Sequence, residues 1–231
     1  LCEKFGFIPI STQTNLGIQG GIELAVKSAN NSTVLFLEND CSYVGGHEGI
    51  EHLKDILVKF EKGFFDIVKL QAKLSSRFNR YWVIRNGRCM RTILGFLRPS
   101  EAAACRAEEL FYGHTHIPGK SKYLKNISQV LWITDSRYIR WSNRPFIVKS
   151  EWFESKIMKF ANTRKGCRAI NGFPDLEVPL NGAKNRWFWR TQCFRVGLIT
   201  CKLFDHVRFD RPDIDEKWEH GGEVIQSNNY L

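Results

Sequence analysis

The amino-acid sequence predicts an α/β fold, a mixed and mostly parallel central sheet flanked by helices, on three observations. An apolar run at 5–10, a helical face carrying Ile22, Ala25, Val26 and Ala29, and a continuous apolar run at 33–37 follow one another directly. Strand, helix and strand in that succession form the βαβ unit of an open sheet. A second amphipathic helix at 49–61 and a third apolar strand at 65–70 repeat the alternation. The 231 residues, 43% hydrophobic and 25% charged, suit one large domain and exclude a wholly disordered or fibrous chain.

Each element has its own signal. The run at 5–10 is short, apolar and aromatic, as a buried strand requires, and the polar residues 11–15 turn the chain after it. Gly17, Gly20 and Gly21 permit a tight turn and close approach to a ligand, ahead of a helix amino terminus that favours anions. In the helix at 22–29 the apolar residues recur at i, i+3, i+4 and i+7. The helix at 49–61 sets Ile50, Leu53, Ile56, Leu57 and Phe60 against Glu51, Lys54, Asp55 and Lys59. Residues 71–128 are dominated by arginines, with a helix expected at 100–110 and a His-rich loop at 113–119. Strands are expected at 130–134 and 137–141 around an Asp135-Ser136 turn, a helix at 150–161 and a strand at 194–200. Loops are read at 172–177 and 181–182, and an aromatic segment at 187–189.

The expected organisation is a single domain over 1–231, with a first half to residue 135, a second at 136–210 and a polar tail at 211–231. Without an initiator Met or an apolar leader, the chain reads as a fragment or domain of a longer polypeptide. No apolar stretch approaches the roughly 18 residues of a membrane-spanning helix, so no transmembrane segment is predicted.

Thirty-four basic against 24 acidic residues give a formal charge of +10, which attracts polyanions without choosing among them. The 7 cysteines are odd in number and include no Cys-x-x-Cys pair. They read as reduced thiols in a cytoplasmic compartment.

The sharpest chemical feature is Glu38-Asn39-Asp40 at the end of the strand 33–37. Alternation along a strand sends Glu38 and Asp40 to the same side. Open sheets bind ligands beyond the carboxyl ends of their strands. Paired carboxylates there suit a hard divalent ion, Mn²⁺ or Mg²⁺, which takes oxygen ligands and offsets phosphate charge. In the loop at 172–177, Asp175 and Glu177 are candidates for a general base, with Asp175 slightly preferred. Trp141, Phe173, Trp187 and Trp189 are candidate aromatic stacking surfaces, and Arg140, Arg144 and Lys149 candidate contacts for an anion. His114 and His116 with Cys105 fall short of the ligand set of a zinc module.

Taken together, the turn Thr14-Asn-Leu-Gly-Ile18, the glycines 20 and 21 with their small-residue helix, and the strand ending in Glu38-Asn39-Asp40 resemble the family 2-like glycosyltransferases of the GT-A fold. The resemblance is good over 5–44 and looser over 130–210. It implies a Rossmann-like GT-A domain that moves a sugar, with metal assistance and inversion, from a nucleoside-diphosphate sugar to a hydroxyl or glycan acceptor. By the same resemblance Asp40 is the principal metal ligand. Glu38 stands where the first acid approaches the ribose or a metal-bound water, its arm one methylene longer than the family's Asp. Thr14, Asn15 and Gly17 lie against the nucleoside, and Asn39 sits between the two acids at the donor. An acidic base is expected at Asp175 or Glu177, and a carboxy-terminal metal ligand at Cys201 or His206. The family's first strand is expected before residue 5. Two other readings remain: a nucleic-acid-binding protein or metal-dependent nuclease, allowed by charge and aromatics, and a GT-A-like domain that recognises glycans without turnover. No nucleic-acid partner is expected under the first.

Overall fold

The computed structural model describes residues 8–38, 41–70, 82–85, 88–113, 123–164, 169–170, 173–181 and 186–206. The first part of the chain supplies α1 (Gly17–Lys27), β1 (Thr33–Phe36), β2 (Cys41–Tyr43), α2 (Gly46–Glu61) and β3 (Ile67–Lys69). Then come a hairpin, β4 (Trp82–Arg85) and β5 (Arg88–Arg91), and three short helices, α3 (Ile93–Leu97), α4 (Pro99–Ala104) and α5 (Arg106–Gly113). Next are β6 (Lys125–Ser128), β7 (Leu131–Asp135), β8 (Phe146–Lys149), and α6 (Ser150–Trp152) and α7 (Lys159–Asn162) joined by a π-helical turn, Phe153–Met158. The last are β9 (Ala169–Ile170), β10 (Phe173–Pro174), α8 (Glu177–Asn181), α9 (Arg186–Thr191), β11 (Arg195–Ile199) and β12 (Phe204–His206).

Six strands form the central sheet in the order β1-β8-β3-β11-β7-β6. Helices cover both of its faces, so the α/β class and the mixed sheet are as expected. The strands are less parallel than expected, however. Of the neighbouring pairs only β3 and β11 are parallel, because β8 inserts antiparallel between β1 and β3, and β7 antiparallel between β11 and β6. Strands from both sides of residue 135 thus interleave in one sheet.

Side chains alternate across the strands and divide the core. Phe36, Phe146, Lys69, Leu198 and Trp132 pair in one row across five strands and share a face. That face packs on Ile22 and Val26 of α1, Phe111 of α5, Phe153 and Ile157 of the π-helical turn, and Trp141 and Trp189. The other face, with Val68, Ile147, Leu131 and Ile199, is covered by Ile56 and Phe60 of α2. β3 is buried along its whole length, which is why it reads as an unbroken apolar run. Gly197 in β11 allows close packing of the sheet's interior: a Cβ there would stand 2.9 Å from Val68 Cγ2.

Several expectations shift. Residues 8–10 are irregular, with Ile8 and Ile10 exposed, and the rest of the run at 5–10 lies outside the described residues. α1 begins at Gly17 and runs through Gly20 and Gly21, so of the three glycines only Gly17, at φ +67°, makes a turn that side chains resist. The helix expected at 100–110 is two, parted at Cys105. The strand expected at 137–141 is instead a 3₁₀ turn, Ser136–Tyr138, capped by Asp135, whose Oδ1 accepts from the Arg137 N–H at 2.8 Å. The His-rich loop and the acidic tail lie outside the described residues.

Candidate active site

Strand directions define the site. β1 and β3 each run antiparallel to β8, and β3 runs parallel to β11, so β1, β3 and β11 all end at one rim of the sheet. β8 begins at that rim, with Phe146 between Phe36 and Lys69. The chain leaves β1 through Glu38, enters β8 from Asn143 and Arg144, and leaves β11 through Thr200 and Cys201. Ligands of open α/β sheets occupy such a rim.

The acidic turn is held from two sides. The Glu38 carbonyl accepts from the Cys41 N–H at 3.1 Å, reversing the chain into β2. β2 pairs antiparallel with β12, and this ribbon sets Cys41 opposite His206, Ser42 opposite Asp205 and Tyr43 opposite Phe204. The strand that follows the acidic turn therefore pairs with the strand that carries His206, although the two come from opposite ends of the chain. Asn39 and Asp40 lie outside the described residues. Among the described residues no three His, Cys, Asp or Glu side chains converge as a metal site. Of the two candidates for the carboxy-terminal ligand, Cys201 packs beside the α2-side core and burial pushes its thiol pKa up, which disfavours the thiolate a metal takes.

α2 anchors the ribbon by close approach. A Cβ on Gly49 would stand 2.7 Å from Tyr43 Oη and 3.1 Å from Leu203 Cδ2. The Tyr43 hydroxyl donates to the Gly46 carbonyl at 2.7 Å. Gly45 and Gly49 therefore read as packing positions for the ribbon.

A second group of polar side chains gathers around Asn143. Its Nδ2 donates to Asp175 Oδ1 at 3.1 Å, its backbone N–H donates to Glu177 Oε1 at 2.9 Å, and its Oδ1 accepts from Trp141 Nε1 at 2.9 Å. Asn181 closes the group by exchanging two bonds with the Trp141 backbone, both at 2.9 Å. The other Asp175 oxygen, Oδ2, accepts from the Val178 N–H at 3.2 Å and so caps α8. Asp175 is 3% exposed, with an oxygen committed on each side. Its geometry is that of an anchor. Glu177 is only half-buried. The structure therefore brings both predicted carboxylates to the entry of β8, but gives them different work.

Lys69 is the residue that sequence reading passes over. It is 5% exposed, at the end of β3 and in the middle of the rim, and its Nζ donates to the Arg140 carbonyl at 3.2 Å. That bond ties the sheet to the segment leading to Trp141 and Asn143. A lysine closing an otherwise apolar strand was the available signal.

The remaining candidates divide. Asn15 Oδ1 accepts from the Gly17 N–H at 2.8 Å and the Thr12 hydroxyl donates to the Thr14 carbonyl at 2.7 Å, so this exposed turn is set by its own side chains. α1 packs against β10, the strand directly before Asp175. Trp141 and Trp189 are core: their rings meet edge to face at 5.2 Å, and Trp189 Nε1 donates to the Ile139 carbonyl at 2.8 Å. They offer no open face to a sugar. Trp187 and Phe173 have no described side chains, and His114 and His116 lie outside the described residues. Lys149 pairs with Thr33 at the opposite end of β1 and bonds Glu61, so it belongs to the far edge of the sheet, away from the rim.

Compared with known proteins, the chain matches no family model, no curated protein and no solved structure. The functional reading therefore rests on the rim itself.

Proposed function

We propose that this chain is a metal-assisted glycosyltransferase that moves a sugar from a nucleoside-diphosphate donor to a hydroxyl of a glycan or other acceptor, with inversion. The observation that carries this reading is the register of β2 against β12. It pairs β2, the strand that follows Glu38 in the chain, with the strand that ends in His206, while Asn143 at the entry of β8 gathers Asp175 and Glu177. A crevice there would have carboxylates on one side and a hydrogen-bonded acid on the other, which suits a diphosphate leaving group and an incoming hydroxyl.

Glu38, Asp40 and His206 are the residues that would hold a divalent ion, Mn²⁺ or Mg²⁺; their oxygen and imidazole donors fit either. Bound there, the ion would supply charge to offset a departing diphosphate. The turn Thr14–Gly17 would face the nucleoside, with Asn39 near the donor. In the displacement, the acceptor oxygen forms a bond to the anomeric carbon as the bond to diphosphate breaks, and a carboxylate takes the hydroxyl proton. Glu177 suits that role better than Asp175, since it is more accessible and has only Oε1 engaged by Asn143. Asp175 holds the amino end of α8 in place beneath it. A reducing, cytoplasmic compartment and a donor and acceptor as partners, with no nucleic acid, go with this reading. Cys193 and Cys201 are free thiols, and among the described residues no helix is long and apolar enough to cross a membrane.

Isothermal titration of the protein with UDP and with GDP, each with and without Mn²⁺, tests the proposal. Metal-dependent binding of one nucleotide is expected; heat of binding for neither under any condition would overturn it.

A further inference from the structure

We propose that α3 and the end of β5 form a docking surface for an anionic lipid membrane. Ile93, Phe96 and Leu97 lie at i, i+3 and i+4 on α3, one face of the helix, and they are 82%, 67% and 74% exposed. Met90, at the end of β5, adds to the same exposed apolar segment at 51%. The opposite side of the short helix is the part that packs inward: Gly95 is buried, and Leu94 rests on Ala102 and Cys105. The helix thus turns its apolar stripe to the surroundings, the reverse of a helix that only serves a core. Its form is set locally, by Thr92 Oγ1 accepting from the Gly95 N–H at 3.1 Å.

Charge identifies the occupant. Residues 70–100 contain seven basic residues and no acidic one, against a net charge of +10 for the whole chain. Exposed Arg91 and Arg98 bracket the apolar face, and the Arg91 guanidinium lies 5.9 Å from the Phe96 ring centroid. Apolar side chains flanked by arginines suit the boundary between anionic headgroups and acyl chains, where each cation near the surface adds to the attraction. A second copy meeting this face symmetrically would bring two acid-free basic segments together, which like-charge repulsion opposes. Nucleic acid would use the arginines but has no partner for Ile93 and Leu97.

Sedimentation with vesicles of phosphatidylcholine alone, or containing about a third phosphatidylglycerol, at low and high salt tests the proposal. The protein is expected to partition onto the anionic vesicles, to leave them as salt rises, and to lose on the order of tenfold in partitioning in the double variant Phe96→Ser, Leu97→Ser. The variant should keep the wild-type thermal midpoint, since both side chains stand mostly outside the fold. Should it fail to fold, amide exchange of the wild-type protein decides: slower exchange across 90–98 on anionic vesicles supports the proposal, and unchanged exchange overturns it. Absent or composition-independent vesicle binding, undiminished binding by a folded variant, dimers that the variant abolishes, or RNA binding in preference to vesicles would each overturn it.

Discussion

Cys41 stands opposite His206 in the antiparallel β2–β12 ribbon, and the residue before Cys41 in the chain is Asp40. A strand register fixes which residues are neighbours to within one position. Under the proposed function the acids before β2 and His206 serve one ion, which substitution at either end tests. If the proposed function is right, Asp40→Ala and His206→Ala should each weaken Mn²⁺-dependent nucleotide binding by roughly tenfold or more, the usual effect of removing a group around a metal. Titration calorimetry with thermal unfolding of both variants checks this; loss of binding with an unchanged midpoint is the expected result.

Glu177 and Asp175 should separate cleanly. Under the proposed function Glu177→Gln should lower transfer by about 10²–10⁴-fold, with little change in stability. Asp175→Ala removes the acceptor for Asn143 Nδ2 and for the Val178 N–H. Leaving buried donors without partners costs about 1–3 kcal/mol each. Urea denaturation beside a transfer assay would distinguish them. Equal loss of activity with equal loss of stability in both variants would contradict the division of roles.

Gly49 has no room for a methyl group. Its added Cβ would meet Tyr43 Oη at 2.7 Å. Gly49→Ala should therefore destabilise the fold by about 1–3 kcal/mol, the usual cost of overpacking. Gly21, beside which no atom lies within 4 Å of a built Cβ, should accept Ala without loss. Paired thermal melts of the two variants make the comparison.

The pH dependence of stability should report Asp55. Its hydrogen bond to Lys59 holds this carboxyl below its usual pKa, with a further bond from the Ser128 hydroxyl at 3.1 Å. A carboxylate whose pKa is lower in the folded state stabilises the fold above its unfolded pKa, about 3.9, and loses that contribution as pH falls through the folded value. Urea midpoints of the wild-type protein should thus fall more steeply below about pH 4 than those of Asp55→Asn, the two curves converging toward the acid end. Parallel slopes would show that the pair carries no pH-dependent stability.

Much of the scaffold was legible from periodicity. α2, β3, β7 and β11 fall where repeat and apolar runs put them, because each is buried by a pattern that its own residues complete. The hairpin β4–β5 and the 3₁₀ turn after Asp135 were not legible. The first lies in an arginine-rich stretch without alternation, and the second depends on one side chain capping its own backbone. Of the candidate site, the family resemblance alone pointed to His206, and the sequence singled out Glu38, Asp175 and Glu177 as acids at a strand end and in a loop. It passed over Lys69 and Asn143, and gave Trp141, Trp189 and Lys149 an open role they do not have.

Sequence alone determined the alternation of strands and helices, the acids after β1 and the acid-free basic stretch, since these depend on composition and on the order of neighbouring residues. Tertiary structure decided the rest: that β8 enters between β1 and β3, that Cys41 faces His206, and that Asn143 binds both Asp175 and Glu177. Those relations join residues far apart in the chain, and their partners are selected by strand register and burial, which no local pattern encodes.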